Sequence, residues 1–216
     1  MHSQGQAPEP SNPRGMPATD DEIREKYLER AIRELNAFTR ELQSCPHCPR
    51  GQLMPVLGSG HPQADIFLIK HSARPAEVEE GVAFYGRTGN ALMKSLKRLG
   101  IDPLAVYGTL CVKCPLLDPA MADPACVGRL VEELAIVQPK IIIVMGEEAL
   151  SVVNDLDVPL SQQLTAEPAL VQHYTPSIEA LYVPNIDGAL DEEAAKREFW
   201  AALKVLGQWW SDLPPY

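Results

Sequence analysis

This chain of 216 residues has no long apolar run. No stretch approaches the roughly 18–20 apolar residues that a membrane-spanning helix needs, so we expect no membrane association. Residues 1–17 are polar and rich in proline, glycine and serine, and they lack the basic flank and apolar stretch of a secretion signal. We therefore expect a disordered tail over residues 1–18, a single domain over residues 19–212, and a cytoplasmic protein.

The chain also lacks an excess of basic residues. Its net charge of −10 argues against non-specific coating of nucleic acid, because proteins that do this are basic. Residues 70–98 depart from this average, with six Lys and Arg side chains against three Glu. This local surplus either forms a face that meets phosphate groups or is a set of scattered, solvated charges.

Helical and extended patterns alternate along the sequence. Thr19 and Glu22 have the spacing of a capping box, which predicts that a long amphipathic helix follows. Further on, the apolar patterns predict strands at residues 64–69, 106–112, 140–145 and 181–183, and helices at residues 90–99, 127–137 and 191–210. This alternation predicts an α/β fold with three layers, α/β/α, around a central, mostly parallel four-stranded sheet. In such sheets ligands bind beyond the carboxyl ends of the strands.

Two cysteine pairs have the spacing of metal-binding knuckles. Cys45 and Cys48 enclose Pro and His, which favour a tight turn that directs both sulfurs to one metal. Cys111 and Cys114 have the same spacing but lie in an extended stretch, where residues three apart point to opposite faces. Cys126 follows at the start of a predicted helix. The sequence thus predicts a metal site on Cys45, Cys48, Cys114 and Cys126, and a buried, apolar role for Cys111.

The chemistry of this cysteine set favours an iron–sulfur cluster. A reducing compartment disfavours disulfides, so the cysteines need another role. Four thiolates from well-separated segments suit a 4Fe–4S cluster. Zinc is the alternative metal.

The order of these motifs resembles the iron–sulfur uracil-DNA glycosylases, family 4 of their superfamily. The resemblance covers residues 45–206 and is carried by Cys-x-x-Cys at 45–48, the strand at 64–69, the loop at 70–74, Phe-Tyr-Gly-Arg-Thr-Gly at 84–89, Val-Lys-Cys at 112–114, Cys126, and a strand ending in Gly at 139–146. It implies a uracil-DNA glycosylase-like fold and a bound 4Fe–4S cluster. It also implies that the partner is DNA with a damaged or deaminated base, and we expect a monomer.

The catalytic positions depart from that family. The family's first loop usually reads Gly-Glu-Ala-Pro-Gly, whereas residues 70–74 read Lys-His-Ser-Ala-Arg. The family usually has a uracil-reading Asn three residues before the Lys of Val-Lys-Cys, and here this position is Leu110. The family also has a late His-Pro-Ser motif. This chain lacks it, and Asp187 lies at the position of its histidine. The resemblance therefore extends to the scaffold more than to the chemistry, and it does not imply selectivity for uracil.

Five side chains are candidates for an active site. We expect Asp187 to supply negative charge or to position water, and His71 to donate to the leaving base or accept from water. Like the family's aromatic residue at its position, Phe84 is expected to stack on the base. Lys70 and Arg74 are expected to bind a phosphate or another anion. The structural alternatives are a turn residue for Asp187, a solvated loop residue for His71 and plain core for Phe84.

Three functions remain open at this point. The first is a DNA-repair glycosylase with an altered active site, a hydrolase that flips a damaged base and cleaves its N-glycosidic bond. The second is a non-catalytic 4Fe–4S protein that binds nucleic acid on the same fold. The third is a small-molecule or redox module in which the basic loop at residues 70–74 holds an anion.

Overall fold

The computed structural model describes residues 19–214, which form a six-stranded mixed sheet surrounded by helices. The helices are α1 (Asp20–Ser44), α2 (Pro75–Glu80), α3 (Gly86–Arg98), α4 (Pro124–Val137), α5 (Glu147–Asp155), α6 (Ile186–Ala189) and α7 (Glu193–Asp212). The strands are β1 (Ser59–Gly60), β2 (Ile66–Lys70), β3 (Val106–Leu110), β4 (Ile141–Met145), β5 (Val171–His173) and β6 (Glu179–Val183). The predicted tail at residues 1–18 lies outside the described residues.

Four parallel strands form the centre of the sheet, in the order β3-β2-β4-β6. Each has five residues, and nearly all of them are buried, as expected for parallel strands covered on both faces. β1 and β5 pair antiparallel at the two edges. The predicted α/β fold is confirmed, and the two edge strands are additions that the sequence did not indicate, because two or three residues are too few to reveal an alternating pattern.

Helices cover the sheet on both faces and form two apolar layers. On one face, α3 and α7 pack through residues such as Leu96 and Leu203. On the other face, α4 and α5 pack through residues such as Leu130 and Val153, with Leu35 of α1 at the margin. The three-layer arrangement is as predicted. Within the described residues, no helix is both long enough and apolar enough to cross a membrane.

The helix ends follow local chemistry. Thr19 and Glu22 form the predicted capping box of α1, since each side chain accepts a hydrogen bond from the backbone N–H of the other residue. α3 begins at Gly86, four residues before the predicted start, because Gly86 and Gly89 mask the helical pattern there. A side chain at Gly89 is impossible in this arrangement, since a Cβ would lie 1.7 Å from the carbonyl oxygen of Phe84.

Candidate functional site

A cleft of about 280 Å³ opens at the carboxyl ends of the central strands. The loops after β2, β4 and β6 line it, which is where open α/β sheets bind ligands. The lining residues are Lys70, His71, Ser72, Arg74, Glu148, Asn185, Asp187, Gly188 and Asp191. Four of the five predicted active-site residues therefore share one cleft, although the chain separates the first loop from Asp187 by more than a hundred residues.

Lys70 is buried beside this cleft and is held by two carboxylates. Its Nζ atom lies 2.6 Å from Oε2 of Glu77 and 3.0 Å from Oδ2 of Asp187. The Lys70 and Glu77 side chains are 2% and 1% exposed, and that of Asp187 is 11% exposed. Buried charges of this kind persist only when they are paired and hydrogen-bonded. The ammonium of Lys70 therefore positions Asp187, and its phosphate contact stays a prediction.

The second oxygen of Asp187 is held as well. The hydroxyl of Thr88 donates to Oδ1 at 2.7 Å, and the backbone N–H of Asp187 donates to Oδ1 of Asn185 at 2.9 Å. Nε of Arg74 lies 4.0 Å from Oδ2, with a side chain that is 56% exposed. Asp187 is thus fixed by groups from the first loop, α3 and its own turn, while Arg74 remains open to solvent.

Glu77 is a site residue that the sequence analysis missed. It is fully buried, and besides Lys70 it accepts hydrogen bonds from the backbone N–H groups of Arg74 at 2.7 Å and Phe84 at 2.5 Å. It therefore joins the first loop to the segment that leads into α3. One signal was available: Glu77 lies three residues after Arg74, the position at which a glutamate caps the start of a helix.

Phe84 does not line the cleft. Its backbone has a φ of 58°, in the left-handed region, and its ring packs against Gly108, where a Cβ would come within 2.6 Å of a ring carbon. Nζ of Lys70 lies 5.6 Å from the centre of the ring, close enough for a cation–π contact. Phe84 instead lines a neighbouring apolar cavity of about 540 Å³. Stacking of a base on this ring stays a prediction.

Leu110 stands where the family usually carries the uracil-reading amide. It is fully buried and packs with Val56, Ala83 and Phe84 in a small apolar cluster. A leucine has no group that hydrogen-bonds a base edge. Any recognition of the base must therefore come from other residues.

His71 lies half-buried in the wall of the cleft. Burial lowers the pKa of its imidazole below the ordinary value of 6.5, and the negative charge of Glu148 partly offsets this effect. The neutral imidazole, which predominates at neutral pH, carries one hydrogen-bond donor and one acceptor. His71 can therefore donate to a leaving base or accept a proton from water, the two roles predicted for it.

Three of the predicted metal ligands meet at a second site. The sulfurs of Cys48, Cys114 and Cys126 lie within 4.8 Å of one another and all three residues are buried. Cys45 is half-buried at the end of α1 and does not belong to this close group, so its role as a fourth ligand stays a prediction. Cys111 lies apart from them in the core beneath α4 and α5, where burial raises the pKa of its thiol to about 12.

The three sulfurs lie close enough for hydrogen bonds between them to shift their pKa values in different directions. The thiol of Cys114 and the backbone N–H groups of Lys113 and Cys114 donate to the sulfur of Cys126, and they lower its pKa. Burial raises the pKa of Cys48, although the backbone N–H of Asp123 donates to its sulfur and partly offsets this effect. The pKa of Cys114 is raised as well, because its thiol donates to Cys126 and is partly buried. Hydrogen bonds to sulfur stabilise its negative form and are typical of iron–sulfur sites. The buried three-cysteine group can therefore hold a metal centre.

A fully buried ion pair braces the segments that carry these cysteines. Lys113 pairs with Glu133, and the hydroxyls of Tyr107 and Thr109 each donate to Glu133 at 2.9 Å. Lys113 also donates to the hydroxyl of Thr109 at 2.8 Å. Because Glu133 lies in α4 and the other three lie on or just after β3, this network fixes the distance between the segments of Cys114 and Cys126.

A match to a family profile assigns the chain to a superfamily. Residues 57–204 match the sequence profile of the uracil DNA glycosylase superfamily, which is more than half of the chain. The chain belongs to this superfamily, as its motifs predicted.

The individual relatives narrow the comparison to type-4 enzymes. The chain is 32% identical over 124 residues to a type-4 uracil-DNA glycosylase of Sulfurisphaera tokodaii, covering 53% of this chain and 56% of that protein. It is 28% identical over 122 residues to one of Pyrobaculum aerophilum, covering 53% and 60%. It is 22% identical over 188 residues to one of Archaeoglobus fulgidus, covering 82% and 94%. The chain spans little more than half the length of the first two relatives.

Proposed function

We propose that this protein is a DNA glycosylase that hydrolyses the N-glycosidic bond of a damaged or deaminated base. The observation that carries the proposal is the fixed orientation of the Asp187 carboxylate at the cleft. Lys70 donates a hydrogen bond to one of its oxygens and Thr88 donates to the other. The superfamily and the type-4 relatives support DNA as the substrate. Because Leu110 replaces the uracil-reading amide, the proposal covers deaminated bases in general rather than uracil alone.

Asp187 supplies the charge that this reaction needs. Cleavage of a glycosidic bond passes through a cation-like sugar, which a fixed carboxylate stabilises electrostatically or by orienting the attacking water. The bonds from Lys70 and Thr88 keep the carboxylate in one orientation, so little reorganisation is needed during the reaction. Asp187 thereby supplies negative charge from the position at which the family usually has a histidine.

The departing base and the DNA strand need partners as well. His71 can donate its N–H to the base as negative charge develops there. The exposed guanidinium of Arg74 stands at the mouth of the cleft, where it can bind a DNA phosphate. Both side chains lie in the first loop, which Glu77 holds in place through the backbone N–H of Arg74.

The cysteine site fits a 4Fe–4S cluster on Cys45, Cys48, Cys114 and Cys126. Three sulfurs are already grouped, and Cys45 lies three residues before Cys48 in the turn that follows α1. When bound, the cluster supplies a structural link between α1, the end of β3 and α4. Zinc, which a tetrahedral cysteine set also binds, is the alternative.

An excision assay on a panel of oligonucleotides tests the proposed function. Single- and double-stranded DNA carrying uracil, hypoxanthine or xanthine is incubated with anaerobically purified protein, and alkali then cleaves the strand wherever a base has been removed. We expect cleavage at one or more of these bases. Intact strands with every substrate, at high enzyme concentration and with the metal site filled, would exclude the activity.

We predict that Asp187→Asn slows excision by about 10²–10³-fold, because the amide keeps the shape but loses the charge near the sugar. The measurement is a single-turnover rate on whichever oligonucleotide the wild type cleaves. The matched control is Asp157→Asn, an exposed position outside the cleft. A variant at Asp187 with the wild-type rate would show that this carboxylate is not part of the machinery.

We predict that the excision rate stays constant through neutral pH and falls below pH 6.5, the ordinary value for histidine. The limb is expected because protonation removes the ring nitrogen through which His71 can accept a proton from water. Burial lowers the pKa of His71, so the neutral imidazole persists to more acidic pH. The comparison is the pH–rate profile of the wild type against His71→Gln, which should lose this acid limb. An unchanged profile in the variant would assign the limb to another group.

A second candidate function is supported by the position of Lys70. Its ammonium contacts both Asp187 and the ring of Phe84, so a base could stack on that ring within reach of the carboxylate only if Lys70 moved. This arrangement favours a non-catalytic protein that binds nucleic acid on the glycosylase fold. Binding without release of a base, with an affinity that falls steeply with salt, is the result expected for that function.

A further inference from the structure

A groove of about 690 Å³ runs between α3 and α7, on the face of the sheet that these two helices cover. We call it the α3–α7 groove. Its floor is apolar and is formed by Ala91, Ile186, Ala189, Leu190 and Phe199. It is separate from the cleft of Asp187, since the two cavities share no lining residue.

The rim of the α3–α7 groove is strongly basic. Three cations come from α3 and two from α7: Lys94, Lys97, Arg98, Lys196 and Arg197. Glu193, which pairs with Lys196 at 3.2 Å, is the only carboxylate among the lining residues described. Five cations against one carboxylate give a local charge of +4 on a chain whose net charge is −10. This surplus accounts for three of the six basic residues in the segment at residues 70–98 and attracts an anionic partner.

An aromatic residue and an arginine meet on the wall of the groove. The guanidinium carbon of Arg98 lies 5.6 Å from the ring centre of Trp200. Tryptophan and arginine are the residue types that most often dominate the binding energy of protein interfaces. A cation–π contact also holds both side chains in place before a partner arrives.

We infer that the α3–α7 groove binds a peptide segment of another protein that combines carboxylates with large apolar side chains. Carboxylates meet the rim cations, while the apolar side chains fill the floor, as in other grooves between helices that hold apolar anchors. The phosphates of a nucleic acid would complement the basic rim, but its bases would not complement the apolar floor. Base edges would lose hydrogen bonds against the apolar floor. Of the two aromatic rings that line the groove, Arg98 covers that of Trp200 and Phe199 is buried, so neither is free to stack on a base.

The inference does not depend on base excision, and the contact that joins the groove to the cleft is made by Arg87 at the start of α3, away from Lys97 and Arg98 at its end. Arg87 donates to Oδ1 of Asp191 and to the carbonyl oxygen of Leu190, each at 2.6 Å. Asp191 lines the cleft and Leu190 lines the groove, so Arg87 bridges the boundary between them. Loss of charge at the far rim of the groove should leave the cleft intact.

Selection from a displayed library of random peptides of about twelve residues tests the inference. The library is panned on the full-length, metal-loaded wild type and, in parallel, on the Lys97→Glu/Arg98→Glu variant. The control is Arg24→Glu/Lys26→Glu, which makes the same charge change at exposed positions of α1. Circular dichroism confirms that both variants fold, and fluorescence anisotropy gives the affinity of the most enriched peptide and of oligo-dT.

We expect the wild type and the control variant Arg24→Glu/Lys26→Glu to enrich peptides rich in Asp, Glu, Leu and Phe. The affinity of the best peptide should fall by about tenfold or more in Lys97→Glu/Arg98→Glu, and it should weaken with salt. Excision or DNA binding at the cleft should not change in that variant. The inference is overturned if the wild type enriches no such peptides, or if Lys97→Glu/Arg98→Glu enriches them equally well. Loss of oligo-dT binding in the rim variant without any peptide preference overturns it in favour of nucleic acid.

Discussion

Cys126→Ala is expected to yield a protein without bound iron. Cys126 is buried at the start of α4 with its sulfur close to those of Cys48 and Cys114, so its loss removes one side of the site. The measurement is iron and sulfide content together with the visible absorption of anaerobically purified protein. Cys45→Ala is expected to have the same effect, because Cys45 is the proposed fourth ligand.

Cys111→Ala is the matched control for the cysteine experiment. Cys111 is equally buried but lies in the core beneath α4, away from the other sulfurs. Its replacement should leave the iron content unchanged and cost only the packing of one small side chain. The opposite pattern, with iron lost in Cys111→Ala and retained in Cys126→Ala, would restore the two Cys-x-x-Cys pairs as the ligand set.

Lys70→Met is expected to lower the free energy of unfolding by about 3–5 kcal/mol at neutral pH, the usual cost of removing one partner of a buried ion pair. The variant leaves the carboxylates of Glu77 and Asp187 buried without their shared cation. Denaturant unfolding measures the effect. Lys94→Met, an exposed lysine of α3, is the control and should change stability by less than about 0.5 kcal/mol.

The pH dependence of Lys70→Met separates lost charge from lost packing. Without the cation, two buried negative charges lack their shared partner at neutral pH, so the variant should become relatively more stable in acid, where carboxylates lose their charge. Lys70→Met/Glu77→Gln removes one of the stranded charges and should recover part of the loss. A deficit that is identical at acidic and neutral pH, and in the double variant, would assign the cost to packing alone.

The central fold was predictable because each central strand is a continuous apolar run. The run at Ile141–Met145 is apolar at every position and buried on both faces, which is typical of a strand inside a covered parallel sheet. The capping box of α1 was predictable for a similar local reason. The edge strands β1 and β5 were not, since they form only through pairing with β3 and β6 and carry no pattern of their own.

The location of the candidate site was predictable, but the contacts between its side chains were not. The strand ends placed the loops of His71 and Asp187 at one edge of the sheet, because the carboxyl ends of parallel strands meet there. The bond between Lys70 and Asp187 joins residues 117 apart in the chain, and no local rule gives such a contact. Glu77 looked like one of three surface glutamates until its burial set it apart.

The pairing of Lys70 with Asp187 gives the departures from the family pattern a common physical reason. The first loop usually starts with glycine, and here Lys70 brings a positive charge into a buried position. Asp187, at the usual place of histidine, brings a negative charge 3.0 Å away. Asp187 without Lys70 would leave a largely buried carboxylate without this cation, and Lys70 without Asp187 would keep only Glu77 as its partner. The two changes are therefore explained best as one joint alteration of the site.

Release of free base from modified DNA, followed by mass spectrometry under single-turnover conditions, is the most direct test of whether this protein is a DNA glycosylase. The same reaction mixtures, sampled for bound DNA, separate an enzyme from a binding protein. We predict that free base appears with time for at least one deaminated base, and that Asp187→Asn slows this release by about 10²–10³-fold while DNA stays bound. DNA that is bound in a salt-dependent manner but never loses a base would contradict it.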